Sequence, residues 1–220
     1  MSNTEDNWFL ERYIVGDLMV NCYLVAWKPT NEAVIIDPGG ESELVFEKVR
    51  EHGYKITAVI NTHGHGDHIG GNGEMVALTG APLIIGRRDA EMLTDADKNM
   101  SAPFGMATLS IPADKVVSEG DVIKVGDGKL KIFEAPGHSA GSIILAGDGF
   151  AIVGDVLFNG SIGRTDFPGG SFEELIRSIQ EKIMPLGDDC IVLPGHGPET
   201  TVGHERRTNP FLQPGMSFDF

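Results

Sequence analysis

Cysteine is nearly missing from this chain: Cys22 and Cys190 are its only two in 220 residues, too few for a disulfide framework. A reducing compartment, the cytoplasm, is therefore expected, and both thiols sit in apolar strand-like segments where they read as inert core residues. Positive charge is also scarce. Seventeen Lys and Arg face thirty-two Asp and Glu, a formal charge of −15, which argues against a partner held through nucleic-acid phosphates. No apolar stretch approaches the roughly 18 residues a membrane span needs. Met1 to Arg12 carry acids where an export signal would have a basic start and an apolar run. No Pro/Ser-rich linker or shift in composition divides the sequence, so one domain over residues 1–220 is expected. The hydrophobic share of 41% is ordinary for a globular protein, so the chain can bury a core without metals or disulfides.

What is plentiful is the alternation of short apolar runs with helix-like segments. Strands are predicted at Asn21–Trp27, Ala33–Asp37, Ile56–Asn61, Leu83–Ile85, Val122–Val125, Leu130–Ala135, Ser142–Ala146, Phe150–Val153 and Ile191–Leu193. Several are apolar throughout, as strands covered on both faces are. Helices are predicted at Glu41–His52, Ile69–Thr79, Arg87–Leu93 and Ser171–Met184, the last opening with Ser171 and Glu174 in capping-box spacing. The fold class is therefore α/β. Glycine is abundant at 29 residues, and much of it follows strands, where the chain must turn sharply or approach a ligand closely.

Chemistry concentrates at those strand ends. Directly after Ile56–Asn61 comes Thr62-His63-Gly64-His65-Gly66-Asp67-His68, with four potential ligands in six residues. Imidazole and carboxylate together suit zinc, iron or manganese, and spacing on a loop lets alternate side chains converge on two centres. His138 follows Leu130–Ala135 in Ala-Pro-Gly-His, Asp155 follows Phe150–Val153 in Gly-Asp, and His196 follows Ile191–Leu193 in Pro-Gly-His-Gly-Pro. Groups just beyond the carboxyl ends of strands can meet from distant parts of the sequence, which is where α/β sheets place their ligands. Five of the seven histidines fall into this one pattern; His52 and His204 do not and read as surface residues.

These segments resemble those of the metallo-β-lactamase superfamily, which implies an αββα sandwich of two central mixed β-sheets flanked by helices. Asp155 stands where the β-lactamases of that superfamily carry cysteine or serine and where the glyoxalase II group carries a bridging aspartate. Gly163-Arg164-Thr165-Asp166-Phe167-Pro168-Gly169-Gly170, Pro194-Gly195-His196-Gly197-Pro198-Glu199-Thr200 and Asn209-Pro210-Phe211-Leu212 are similar to the short glyoxalase II-like (type II hydroxyacylglutathione) hydrolases. The resemblance implies two divalent ions, zinc first, with iron and manganese as alternatives. His63, His65 and His138 would hold one, Asp67, His68 and His196 the other, and Asp155 would bridge them. Asp67 and Asp155 are the expected catalytic carboxylates, Asp67 orienting the attacking water. The expected reaction is hydrolysis of a small thioester such as S-lactoylglutathione by a monomer or homodimer, with no nucleic-acid or membrane partner.

Around this set, Asp37, Thr62 and Asp166 are candidates to hydrogen-bond the outer nitrogens of ligand histidines, although Asp and Thr beside glycine also serve as turn residues. Arg164 is a candidate for a substrate carboxylate or for a structural pair with Asp166, and Phe104, Met106 and Phe158 are candidate pocket walls. The segment Gly163 to Phe167 also resembles persulfide dioxygenases, which would use His63, His138 and Asp155 for a single Fe(II); Ile162 stands where those enzymes carry cysteine. Lactonases and RNA-processing phosphodiesterases share the same ligand pattern, so fold and metals alone leave the substrate open. A non-catalytic, metal-stabilised module would not account for the completeness of the set.

Overall fold

The computed structural model describes residues 7–213. Six strands, β1 (Trp8–Val15), β2 (Val20–Trp27), β3 (Glu32–Ile36), β4 (Lys55–Asn61), β5 (Leu83–Gly86) and β6 (Lys115–Val117), form one sheet in sequence order. β1 to β3 run antiparallel, whereas β3 to β6 pair in parallel. The second sheet is built from β7 (Val122–Val125), β8 (Gly128–Glu134), β9 (Ile143–Ala146) and β10 (Phe150–Gly154). After a small hairpin of β11 (Leu157–Phe158) and β12 (Ser161–Ile162), it is completed by β13 (Ile191–Pro194) and β14 (Thr200–Thr201). Its order is β14-β13-β10-β9-β8-β7, with β10 and β13 parallel and the other pairs antiparallel. Both sheets are mixed.

The period of two along each strand sorts side chains into layers. Tyr23, Val25, Trp27, Val34 and Ile36 meet Leu130, Ile132, Leu145 and Ile152 between the sheets. Their neighbours Cys22, Leu24, Ala26, Ala33 and Ile35 face outward against Val45 and Val49 of α1 (Ser42–His52). On the far side Ala151, Val153, Cys190 and Val192 pack against Leu175 of α4 (Phe172–Ser178) and Val202 of α5 (Val202–Thr208). The result is an αββα sandwich, and the strands that read as apolar throughout are those with cover on both faces. Cys22 and Cys190 are free and buried in opposite outer layers.

The helix predictions need three corrections. Ile69–Thr79 is two pieces, α2 (Gly66–Ile69) and α3 (Asn72–Thr79), because Gly70 and Gly71 press against the Pro38–Gly39 turn and Gly71 N donates to Pro38 O at 2.7 Å. The predicted helix Arg87–Leu93 is a 3-10 stretch, Arg87–Thr94, and Ser171–Met184 is α4 followed by a wider turn at Ile179–Ile183. Ser171 does cap α4, accepting from Glu174 N at 3.3 Å. β1, β6, the β11–β12 hairpin, β14 and α5 had no sequence prediction. Among the described residues no helix is long and apolar enough to cross a membrane.

Candidate metal centre

β3, β4, β8, β10 and β13 all end at the same edge of the sandwich, so the residues after them, Asp37, His63 to His68, His138, Asp155 and His196, enter one space. Backbone bonds tie the two sheets together there: Ile143 N donates to Thr62 O at 2.8 Å and Asn21 N to Gly195 O at 2.7 Å. Ligand atoms of His63, His65 and His138 lie within 4.8 Å of one another, as do those of Asp67, His68 and His196, and those of His63, His68 and Asp155. Asp155 stands between the sets, with Oδ1 3.4 Å from His68 Nε2 and Oδ2 3.6 Å from both His138 Nε2 and His196 Nε2. All seven residues in the expected ligand set are thus brought together.

The outer nitrogens of His63, His68 and His138 are spoken for, and this fixes which of their ring atoms faces inward. Asp37, at φ 54° in the left-handed region, turns its carboxylate toward two partners. Its Oδ2 accepts from Thr62 Oγ1 at 2.7 Å and pairs with His68 Nδ1 at 3.0 Å, while Oδ1 accepts from Thr62 N at 2.8 Å. Thr62 Oγ1, its proton given to Asp37, accepts from His63 Nδ1 at 3.1 Å. His138 Nδ1 donates to the Arg164 carbonyl at 2.8 Å. Each of these three histidines therefore aims Nε2 at the centre, whereas His65 brings Nδ1 to within 2.9 Å of His138 Nε2.

Three buried atoms at this point, His63 Nε2, His68 Nε2 and Asp155 Oδ1, have no hydrogen-bond partner among the described residues. Orphaned buried polar atoms are costly, and three converging on one another mark a place for cations. The protonation states of His63, His65 and Asp155 agree. Burial and the surrounding imidazoles hold His63 well below its ordinary value, and burial followed by His138 pulls His65 down to about 3, so both keep free lone pairs at neutral pH. Burial alone would raise Asp155, but His68, His138 and His196 outweigh it and keep the carboxyl ionised. His68 moves the other way: burial opposes its charge, but Asp67, Asp155 and Asp37 prevail and draw positive charge to this point, which a cation can supply in place of the ring proton. A donor set of imidazole nitrogens and two ionised carboxylates fits zinc, iron or manganese.

Residues 15–196 match the metallo-beta-lactamase superfamily. The chain belongs to that superfamily. Members are metal-dependent hydrolases, and the His/Asp cluster is the metal-binding cluster of this fold. Hydroxyacylglutathione hydrolase GloC of Haemophilus influenzae is 38% identical over 196 residues, 87% of this chain and 92% of that one. Among solved structures, the BLEG-1 B3 metallo-beta-lactamase aligns with a TM-score of 0.89 at 34% identity, over 93% of this chain and 99% of that one. TTHA1623 in a di-iron-bound form aligns at 0.80 and 31%, over 92% and 100% of the two chains. ETHE1 from Myxococcus xanthus aligns at 0.76 and 26%, over 92% and 83%.

A cleft of about 680 Å³ opens onto the cluster. One side is the tip of the β1–β2 hairpin, with Asp17 and Leu18, and the other is formed by Met100, Phe104, Met106 and Phe167. Phe104 and Met106 thus take the expected wall positions; Phe158 instead lies edge-on to His196, with ring centroids 6.3 Å apart. Asp166 does not take the place expected for it. It is exposed and forms a two-pronged pair with Arg164 at 2.7 and 2.8 Å, and the acceptor for His138 is the backbone of Arg164. The Arg164 guanidinium also lies over the Phe167 ring at 3.7 Å. His52 is outside the cluster, at the end of α1, paired with Glu11. Sequence reading missed Asp89, which is fully buried beneath the ligand loops; its one signal was a position just past the end of β5, where the other site residues also sit relative to their strands.

Proposed function

We propose that this chain hydrolyses thioesters of the S-2-hydroxyacylglutathione type. Two divalent ions, zinc foremost, would be held by His63, His65 and His138 and by Asp67, His68 and His196, with Asp155 shared between them. The observation that carries this reading is the pair of complete three-ligand sets, each within 4.8 Å, beside a cleft large enough for a small organic substrate. Resemblance to the short glyoxalase II-like hydrolases and the name of the 38% identical relative support the substrate type.

Bound divalent ions lower the pKa of a coordinated water from about 15.7 to about 7 and polarise a carbonyl oxygen. The chain's own groups do the rest. Asp67 Oδ2 lies 3.2 Å from His196 Nε2, and the side chain is 20% exposed on the cleft side, where it would orient an attacking water. Leu18, Phe104, Met106 and Phe167 give the cleft apolar walls against which the acyl and thiol parts of a substrate would pack. An acyl-enzyme route has little support, since no cysteine lines the cleft and Ser101 Oγ is engaged with Asn99 Oδ1 at 2.6 Å.

Similarity to ETHE1 favours a second reading, a persulfide dioxygenase with one iron on His63, His138 and Asp155. Metal analysis of aerobically purified protein, run beside S-lactoylglutathione hydrolysis followed by loss of thioester absorbance and oxygen uptake with glutathione persulfide, separates the two. Two ions per chain and thioester cleavage are expected. One iron per chain with oxygen uptake would overturn the hydrolase.

A further inference from the structure

Asp89 is a fully buried carboxylate that the proposed reaction does not use. It sits in the 3-10 stretch Arg87–Thr94 and receives three hydrogen bonds. Oδ2 accepts from Gly64 N at 3.0 Å and Ser139 Oγ at 2.6 Å, and Oδ1 accepts from Gly141 N at 2.6 Å. Gly64 lies between His63 and His65, and Ser139 follows His138. One carboxylate therefore reaches both loops that supply the three-histidine set.

The packing around it is equally specific. A Cβ on Gly64 would meet Met92 Cβ at 2.6 Å and Asp89 O at 3.1 Å, and a Cβ on Gly141 would run into the Asp89 carboxylate itself. Both amide donors are thus glycines because the loops are drawn down onto this segment. Ser139 Oγ also contacts Ser142 Oγ at 2.7 Å, extending the clamp along the His138 loop. The Asp67, His68 and His196 set is anchored elsewhere: Asp37 holds His68, Asn61 Nδ2 donates to His68 O at 3.1 Å, and Asn21 Nδ2 donates to Gly197 O at 2.9 Å. Asp89 has no hydrogen bond to that set.

Only a carboxylate answers three donors from two oxygens, because an amide would turn an NH2 toward one of them. Burial holds the Asp89 carboxyl above its ordinary value even with Ser139, Gly64 and Gly141 pulling it down, so a role limited to filling space would not call for a charged group here. We propose that Asp89 is a positioning residue that sets the geometry of the His63, His65 and His138 site selectively, by clamping the two loops that carry it. The inference rests on the reading of the cluster as two ion sites and is independent of the substrate.

The test is a Co2+ titration of metal-free protein, followed by visible absorption and chelator competition, with His138→Gln and His196→Gln assigning each binding event to its set. Asp89→Asn is expected to raise the dissociation constant of the three-histidine set by about 10- to 100-fold and to leave the other within about 3-fold. Ser139→Ala, which removes one donor and keeps the carboxylate, is expected to shift the same event less. Equal weakening of both events, or no change in a folded Asp89→Asn protein, overturns the proposal; should that variant not fold, Ser139→Ala decides by the same two outcomes. A wild-type chain that binds no Co2+ would instead take down the two-ion reading on which the inference stands.

Discussion

The two halves of the cluster are built differently. His63, His65 and His138 are 0%, 6% and 3% exposed and offer nitrogen alone, held from behind by a hydroxyl, a backbone carbonyl and the Asp89 clamp. In the other set His68 is buried, but the side chains of Asp67 and His196 are 20% and 29% exposed, and carboxylates supply much of the field. On the two-ion reading, the more deeply buried, neutral set would hold its ion more tightly, and the more exposed set would exchange its ion and meet water and substrate more readily, although His65 and His138 also line the cleft. The asymmetry would then favour holding in one half and exchange in the other.

Removing the group common to both halves has the largest expected effect. Asp155→Ala strips the carboxylate that lies 3.4 to 3.6 Å from His68, His138 and His196, so kcat should fall on the order of 10³-fold or more and metal content with it. Near wild-type turnover would mean that the halves act independently. Chelator dialysis sharpens the contrast: metal content followed over time should fall in two phases, the open set emptying about 10-fold faster or more. Simultaneous loss of both ions would erase the distinction drawn from exposure.

Much of this architecture could be read from residue order because the strands that frame the site are covered on both faces and hence continuously apolar, as Val20–Trp27 and Phe150–Gly154 are. The ligands stood out because imidazole and carboxylate recur at the carboxyl ends of those strands. What escaped notice depends on partners distant in sequence. β1 carries Glu11 and Arg12 mid-strand and is defined by backbone pairing with β2. α5 is short and polar, and is pinned by the buried Glu205 carboxylate through Thr200 and Asn209. Asp89 meets amides and a hydroxyl 25 to 52 positions away, so nothing local distinguishes Arg87-Arg88-Asp89 from a solvated helix face. The Gly70–Gly71 break in the predicted helix likewise follows from contact with the Pro38 turn.

Arg164 tests the same division at its margin, and the expected effect is the smallest. Its carbonyl belongs to the holding half, since it orients His138, while its guanidinium belongs to the open half, half-exposed on the cleft rim and already matched by Asp166. Arg164→Gln alters only the second of these. The backbone acceptor stays in place, so metal stoichiometry should remain that of the wild type. An exposed pair contributes little to stability, and the melting temperature should hardly move. KM for S-lactoylglutathione should rise by no more than about 5-fold, with kcat nearly constant. Loss of an ion in this variant would show that the side chain, and not the carbonyl, holds His138 in place, and the boundary between the two halves would then have to be redrawn through residue 164.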